Sequence, residues 1–176
     1  MRPITIISST NRKNALSYKI SRFYHNLLKN EGLESEIIDL AKLPADFIES
    51  ALYEKSGKNE QFNVYRQKMK ETQKMVFIVP EYNGSFPGVL KAFIDGMEYP
   101  GTFKDKVCGI VGLSSGVQGG GLALSHLTDI FNYCGMTVVA IKPKLALIEK
   151  NFDGEKIINK LYVDLIRDQI ELLKKF

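Results

Sequence analysis

Three short stretches of this 176-residue chain concentrate the residue types that could do chemistry. The first, Ser8-Ser9-Thr10-Asn11-Arg12-Lys13-Asn14-Ala15-Leu16-Ser17, crowds hydroxyl and amide groups around an arginine just where a helical pattern begins. A helix N-terminus carries unpaired backbone N–H groups and the positive end of the helix dipole, so it favours an anion. Arg12 adds a planar fork that matches a phosphate. Ser and Asn also serve as helix caps, but one or two would suffice for that, and the density of the cluster favours a phosphate site. With neither GxxxxGK[ST] nor GxGxxG present, a nucleoside triphosphate or a dinucleotide pyrophosphate is a poor fit.

The second stretch, Pro80-Glu81-Tyr82-Asn83-Gly84-Ser85-Phe86-Pro87-Gly88, sets two prolines and two glycines around an aromatic residue. Pro87 suits the first position of a helix, but that role does not call for Tyr-Asn-Gly-Ser between the prolines. The unusual path leaves N–H groups free to meet a ligand beside the Tyr82 ring. The third, Ser114-Ser115-Gly116-Val117-Gln118-Gly119-Gly120-Gly121, has four glycines that allow close backbone approach to a flat ligand. Alone it is a weak signal, since glycines after a strand more often serve turns.

Other chemistry finds little support. Cys108 and Cys134 sit in apolar surroundings, outside any CxxC pair and away from histidine, and read as buried structural thiols. His25 falls in the middle of the first helix on its exposed side, and neither it nor His126 has a partner that suggests acid–base work. No metal site is expected. The balance of 24 Lys and Arg against 20 Asp and Glu leaves +4, dispersed along the chain, which fits a solvated surface better than a nucleic-acid footprint. The apolar run Ile4–Ile7 is too short for a signal-peptide core, and no stretch approaches the roughly 20 apolar residues of a membrane span. These features predict one soluble domain over residues 1–176 in a reducing, cytoplasmic setting.

The elements that must position the three stretches alternate regularly. Apolar runs at Ile4–Ile7, Glu36–Leu40, Lys74–Val79, Val107–Leu113 and Thr137–Ile141 read as strands, the second at an edge. Helical spacing links Leu16 to Leu28, closed by Gly32, then Phe62 to Met69, Val89 to Met97, Leu127 to Cys134, and Ile158 with Leu161 through Leu173. Pro44–Asn59 is a polar loop with room for a short helix. Inner strands without polar alternation are those of a parallel sheet covered by helices on both faces. Five such units predict a doubly wound α/β sheet of order 2-1-3-4-5, whose ligand crevice lies past the carboxyl ends of strands 1, 3 and 4. The three chemistry-bearing stretches fall there.

The segments Thr10-Asn11-Arg12…Ser17 and Pro80-Glu81-Tyr82-Asn83-Gly84-Ser85-Phe86-Pro87-Gly88-Val89-Leu90-Lys91, with the Gly119-Gly120 loop, resemble the NADPH-dependent FMN reductase family. That flavodoxin-like family includes azoreductase- and chromate-reductase-type quinone reductases, and the likeness runs from about Ile4 to Val139. It implies that Thr10, Arg12 and Ser17, with neighbouring Ser9 and Leu16, hold the FMN phosphate. It places Pro80, Glu81, Tyr82, Asn83 and Gly84 along the isoalloxazine ring, and Ser114, Ser115 and Gly116 along its other edge. The family usually has Gly where Ser9 stands, Ser where Ala15 stands, and Arg near Leu122.

The resemblance implies an FMN-dependent oxidoreductase that takes hydride from NADPH or NADH and passes it to a small acceptor: a quinone, an azo compound, a metal oxyanion or a flavin. The cofactor carries the chemistry, so no catalytic side chain is required, and Tyr82 shapes the acceptor site. Two rivals belong to other classes: an FMN electron carrier without NAD(P)H turnover, and a non-redox phosphate- or nucleotide-binding regulator. Carriers of that kind are typically acidic, and +4 weighs against one. The aromatic stretch Tyr99-Pro100-Gly101-Thr102-Phe103 lies outside the regular pattern and suggests a contact surface, while the resemblance implies a homodimer or homotetramer.

Overall fold

The computed structural model describes residues 2–176. Its strands are β1 (Ile4–Ser8), β2 (Ser35–Asp39), β3 (Lys74–Pro80), β4 (Val107–Leu113), β5 (Thr137–Val138) and β6 (Lys144–Leu145). Its α-helices are α1 (Leu16–Asn30), α2 (Phe47–Ser50), α3 (Glu60–Glu71), α4 (Gly88–Asp95), α5 (Gly121–Tyr133) and α6 (Lys160–Lys174). The strands pair in parallel in the order β2-β1-β3-β4-β5, with β6 added beside β4. This is the expected flavodoxin-like topology, with the fifth strand in two pieces. The polar stretch after β2 holds α2 between two short 3₁₀ turns.

The apolar strands explain the layers. On one face Ile6, Val76, Ile78 and Val111 pack under Ile20, Tyr24 and Leu28 of α1 and Ile166, Ile170 and Leu173 of α6. On the other, Ile7, Met75, Phe77 and Ile110 meet α3, α4 and α5 through Phe62, Phe93 and Phe131. The Phe77 and Phe131 rings lie 4.6 Å apart between centroids. Side chains of a strand alternate between faces, and here each face is covered by helices.

Several expectations need correction. The fifth strand was expected over Thr137–Ile141 but ends at Val138. After Val139 N–H meets Cys108 O at 2.9 Å the chain leaves the sheet, and it returns as β6, where Gly112 N–H meets the Pro143 carbonyl at 2.9 Å. Buried Gln169 of α6 fills the gap: its Nε2 donates to Ile110 O (3.0 Å) and Ile141 O (2.9 Å), and its Oε1 accepts from Tyr24 Oη at 3.1 Å. Ile158 and Leu161, counted in the stripe of the last helix, are 61% and 62% exposed, and α6 begins at Lys160. His25 is half-buried rather than exposed, with Nδ1 2.8 Å from Ser35 Oγ. Cys134 is half-buried, not buried.

Lys106 is an unusual core residue. Its Nζ donates to the carbonyls of Met69 and Lys70 at 2.8 and 2.7 Å, closing the C-terminal end of α3. Burial draws its pKa down to about 8, which still leaves it charged at neutral pH. An ammonium at a helix C-terminus also complements the dipole.

Gln169→Leu keeps the side-chain volume but strips partners from two carbonyls and one phenol. Unpaired buried polar groups cost about 1–3 kcal/mol each. The variant should lose about 3 kcal/mol or more in urea unfolding at an unchanged denaturant slope; a loss under half of that would show that these groups find other partners.

Candidate active site

The pairing of β1 with β3 brings two of the chemistry-bearing loops out side by side. Ser9 N–H donates to Ile78 O at 3.1 Å, carrying the ladder one residue past β1. Ser9, Thr10 and Ser17 are buried, whereas Arg12, Lys13 and Asn14 are exposed. Ser9 Oγ donates back to Ile7 O at 3.2 Å, and Ser17 Oγ pairs with Ser8 Oγ at 3.3 Å. Both hydroxyls therefore brace the loop from below. Arg12 N–H meets Thr10 Oγ1 at 3.3 Å, and the Arg12 guanidinium has no ion pair among the described residues.

The start of α1 is open. Its cap position is Ala15, which offers no side-chain acceptor, and the first turn holds no acid. The Leu16 and Ser17 N–H groups have no acceptor among the described residues. Asn14, at φ 56°, turns the chain into the helix. The result is a set of unpaired donors at the positive end of a 15-residue helix, with Arg12 and Lys13 close in sequence. This donor set fits a phosphate group.

The second loop is built around a two-residue turn. Tyr82 and Ser85 exchange backbone hydrogen bonds at 2.7 and 2.9 Å, with Asn83 at φ 50° and Gly84 at φ 72° between them. Two consecutive positive φ values are those of a type I′ hairpin turn, for which Asn-Gly is the preferred pair. The N–H groups of Asn83 and Gly84 have no acceptor among the described residues. Thr10 Oγ1 and Tyr82 Oη lie 2.7 Å apart, tying the first loop to the second. Glu81 joins the third: its N–H donates to Leu113 O at 2.9 Å and its Oε2 accepts from Gly120 N–H at 3.2 Å.

Two of the third loop's four glycines, Gly119 and Gly120, have a different role from the one expected. Gly119 has φ 58°, and a Cβ there would stand 2.7 Å from the Lys144 carbonyl carbon. The glycine pair thus lets the loop pack on the sheet; it does not clear room for a ligand. Ser114 Oγ is used within the loop, donating to Gly116 O and accepting from Gly119 N–H, both at 2.9 Å. Ser115 and Gly116 are exposed at the rim. Pro80 ends β3, and Leu16 packs half-buried at the edge of the core under α1.

One contact went unread in the sequence. His126 of α5 places Nδ1 2.9 Å from Ser85 Oγ, at the side of the hairpin turn. The residues are 41 apart in the chain, and no local pattern announces the pair. The cysteines take no part: burial pushes both thiols upward, Cys108 the further. Among the described residues no cluster of three or more His, Cys, Asp or Glu could hold a metal ion.

Comparison with known proteins supplies the family and agrees with the fold. The model of the NADPH-dependent FMN reductase family matches residues 2–144. An FMN-dependent NADPH-azoreductase of Staphylococcus aureus (strain USA300) is 28% identical over 187 aligned positions, covering 97% of this chain and 93% of the relative. Among solved structures, the flavoenzyme NAD(P)H:(acceptor) oxidoreductase FerB of Paracoccus denitrificans superposes with a TM-score of 0.78 at 20% identity, over 98% of this chain and 95% of that one. An FMN-dependent NADH-azoreductase of Bacillus anthracis, solved in complex with FMN, gives 0.62 at 15% identity, over 98% and 100%.

Because Ala15 leaves α1 uncapped, Ala15→Asp should stabilise the cofactor-free protein by about 1 kcal/mol in chemical unfolding. No gain would mean that the helix end already has partners in solution. The open helix start, the hairpin turn and the family match lead to one assignment: the chain belongs to the NADPH-dependent FMN reductase family and is an FMN-dependent NAD(P)H oxidoreductase of flavodoxin-like fold.

Proposed function

We propose that the loops after β1, β3 and β4 form the FMN site and that the chain passes reducing equivalents from NAD(P)H to a small acceptor there. The observation that carries this reading is the uncapped start of α1, where Ala15 leaves the Leu16 and Ser17 N–H groups open beside Arg12. These donors, with the Thr10 hydroxyl, would hold the phosphate. Bound FMN supplies the hydride acceptance and release that no side chain of the protein can provide.

The roles of the chain follow from its contacts. Pro80, Glu81, Tyr82, Asn83 and Gly84 line one edge of the ring site, and Ser114, Ser115 and Gly116 the other. The open N–H groups of Asn83 and Gly84 are fixed by the turn, so they can stabilise negative charge at that edge without reorganising. The Thr10 bond holds Tyr82 at the face where the nicotinamide and then the acceptor would stack. Glu81, committed to Gly120 N–H, keeps the second and third loops in register. We assign the acceptor to the quinone, azo, metal-oxyanion and flavin group, with an azo compound favoured by the azoreductase relative.

We also propose that the protein acts as a homo-oligomer, one domain per chain, in a reducing cytoplasm that keeps Cys108 and Cys134 as thiols. Tyr99 and Tyr133 stack with centroids 6.3 Å apart while 66% and 79% exposed, and Leu122 on α5 is 53% exposed. A second copy over α4 and α5 would cover them. Sedimentation should give at least a dimer that the pair Tyr99→Glu/Tyr133→Glu converts to monomer; a wild-type monomer at all concentrations would refute it.

The central test is direct. Protein mixed with FMN should bind it, turn yellow and oxidise NADPH or NADH in the presence of a quinone or azo dye. Arg12→Gln should weaken FMN binding by about tenfold or more, the worth of a charge-assisted phosphate contact. A protein that stays colourless with FMN would sink the reading, and one that binds FMN but never oxidises NAD(P)H would be an electron carrier.

A further inference from the structure

A second concavity begins at Asn14 and Ala15, beside the first loop, and leads away from the second and third. It runs along α1 from Asn14 to Asn30, faced by α6 and by the turn before it, with a volume of about 830 Å³. That size suits a small-molecule site. Its floor is apolar, formed by Phe23, Leu27, Ile157 and Val163, while Asn26 and Asn30 offer amides along the α1 wall.

The charge of the groove is lopsided. Lys19 and Arg22 stand on the α1 wall, Lys156 and Arg167 on the opposite one, and Glu155 is the single acid in the lining. None of the four cations forms an ion pair among the described residues. The helix α1 has no acidic residue in its 15 positions, so Lys19 and Arg22 face each other three residues apart without compensation. Like charges at this spacing disfavour a helix. On α6, Arg167 has Asp164 and Glu171 within helical reach, yet Asp164 binds Lys160 and Glu171 binds Lys174. The guanidinium is left to the groove. The nearby Asp153 carboxylate is occupied with the N–H groups of Glu155 and Lys156.

We infer that the groove between α1 and α6 binds an anionic amphiphile, a small molecule with an apolar body and one or more sulfonate, carboxylate or phosphate groups. The apolar floor takes the body and the facing cation pairs take the charges. Such a site goes beyond the FMN reading: it lies on the α1–α6 face and uses none of the ring-lining residues. A ligand there would touch the wall of α1, whose first turn is the proposed phosphate site.

The probe is 1-anilinonaphthalene-8-sulfonate, titrated by calorimetry into the native protein with and without saturating FMN. Saturable binding that persists with FMN present supports the groove; binding that FMN abolishes places the probe in the flavin site and overturns it. Arg22→Gln/Arg167→Gln should weaken binding at least about tenfold, whereas the charge-matched Lys55→Gln/Lys58→Gln should leave it unchanged. Equal loss in both pairs would reduce the effect to overall charge and refute the site. Asn26→Trp, at an exposed position, fills the groove without changing charge and should also block the probe; unimpaired binding would refute it. Inorganic pyrophosphate, a charge-only probe, should bind more weakly than the naphthalene sulfonate, and tighter binding would refute the role of the apolar floor. A protein that fails to bind FMN would still give these titrations, so the two readings fail separately.

Discussion

Placing β1 beside β3, with all of α1, β2 and α3 between them in sequence, is the constraint on which the rest depends. The parallel register runs from Thr5 opposite Met75 to Ser8 opposite Ile78, so both strands point their carboxyl ends to the same edge, β3 running two residues further to Pro80. Parallel neighbours demand crossovers, and crossovers put helices over both faces. Reversal of strand order at β1 opens a crevice between its loop and the one after β3. The Thr10–Tyr82 bond at 2.7 Å is the first side-chain contact that this geometry permits. Without the register, neither the open start of α1 nor the hairpin turn would face a common space.

The far side of the sheet meets the same constraint less regularly. At β4 the partner strand breaks at Val138 and resumes at Lys144, and a sheet interior cannot leave those carbonyls unpaired. Gln169 supplies the missing donors from a helix. Because Tyr24 of α1 closes the same network, the helix that starts at the first loop and the helix beside it are held to β4 by hydrogen bonds as well as by apolar contact. Such a network fixes the relative placement of α1, α6 and the sheet, which packing alone specifies less tightly. The third loop leaves this braced strand at Ser114, and Gly119 packs back onto β6.

The legible parts of the molecule are those decided by local pattern. Lys74–Val79 and Val107–Leu113 are near-continuous apolar runs, and both are central strands. The spacing of Leu16, Ile20, Phe23, Leu27 and Leu28 marks the buried face of α1, with Leu16 only partly covered. The first loop invites a chemical reading because its polar density exceeds what caps and turns need. What escaped depends on distant residues. The break in β5 answers to Gln169, about thirty residues on, and the Ser85–His126 contact joins residues that only the fold brings together. Gly119 was open to a ligand-facing reading until the close approach of Lys144 was known. Asn83-Gly84, by contrast, carries a hairpin signal in its own two residues, which the reading of that loop as an unusual path passes over.

The start of α1 shows why a local rule can be broken with reason. Helices ordinarily begin at Ser, Thr, Asp or Asn, whose side chains satisfy an orphan N–H. Ala15 offers none, although the stretch before it is rich in such residues. Ser9 and Ser17 use their hydroxyls inside the loop, and Thr10 shares its own between Tyr82 and Arg12 N–H. A self-satisfied helix end would stabilise the protein and compete with an incoming phosphate for the same donors. With the phosphate placed there as proposed, leaving it open would move that stabilisation from the folded chain to its complex. Binding then adds to stability by mass action, and departures from local consistency of this kind belong at functional sites. The same reasoning applies to the uncompensated cations along the α1 wall, where Lys19 and Arg22 stand three residues apart on a helix that holds no acidic residue.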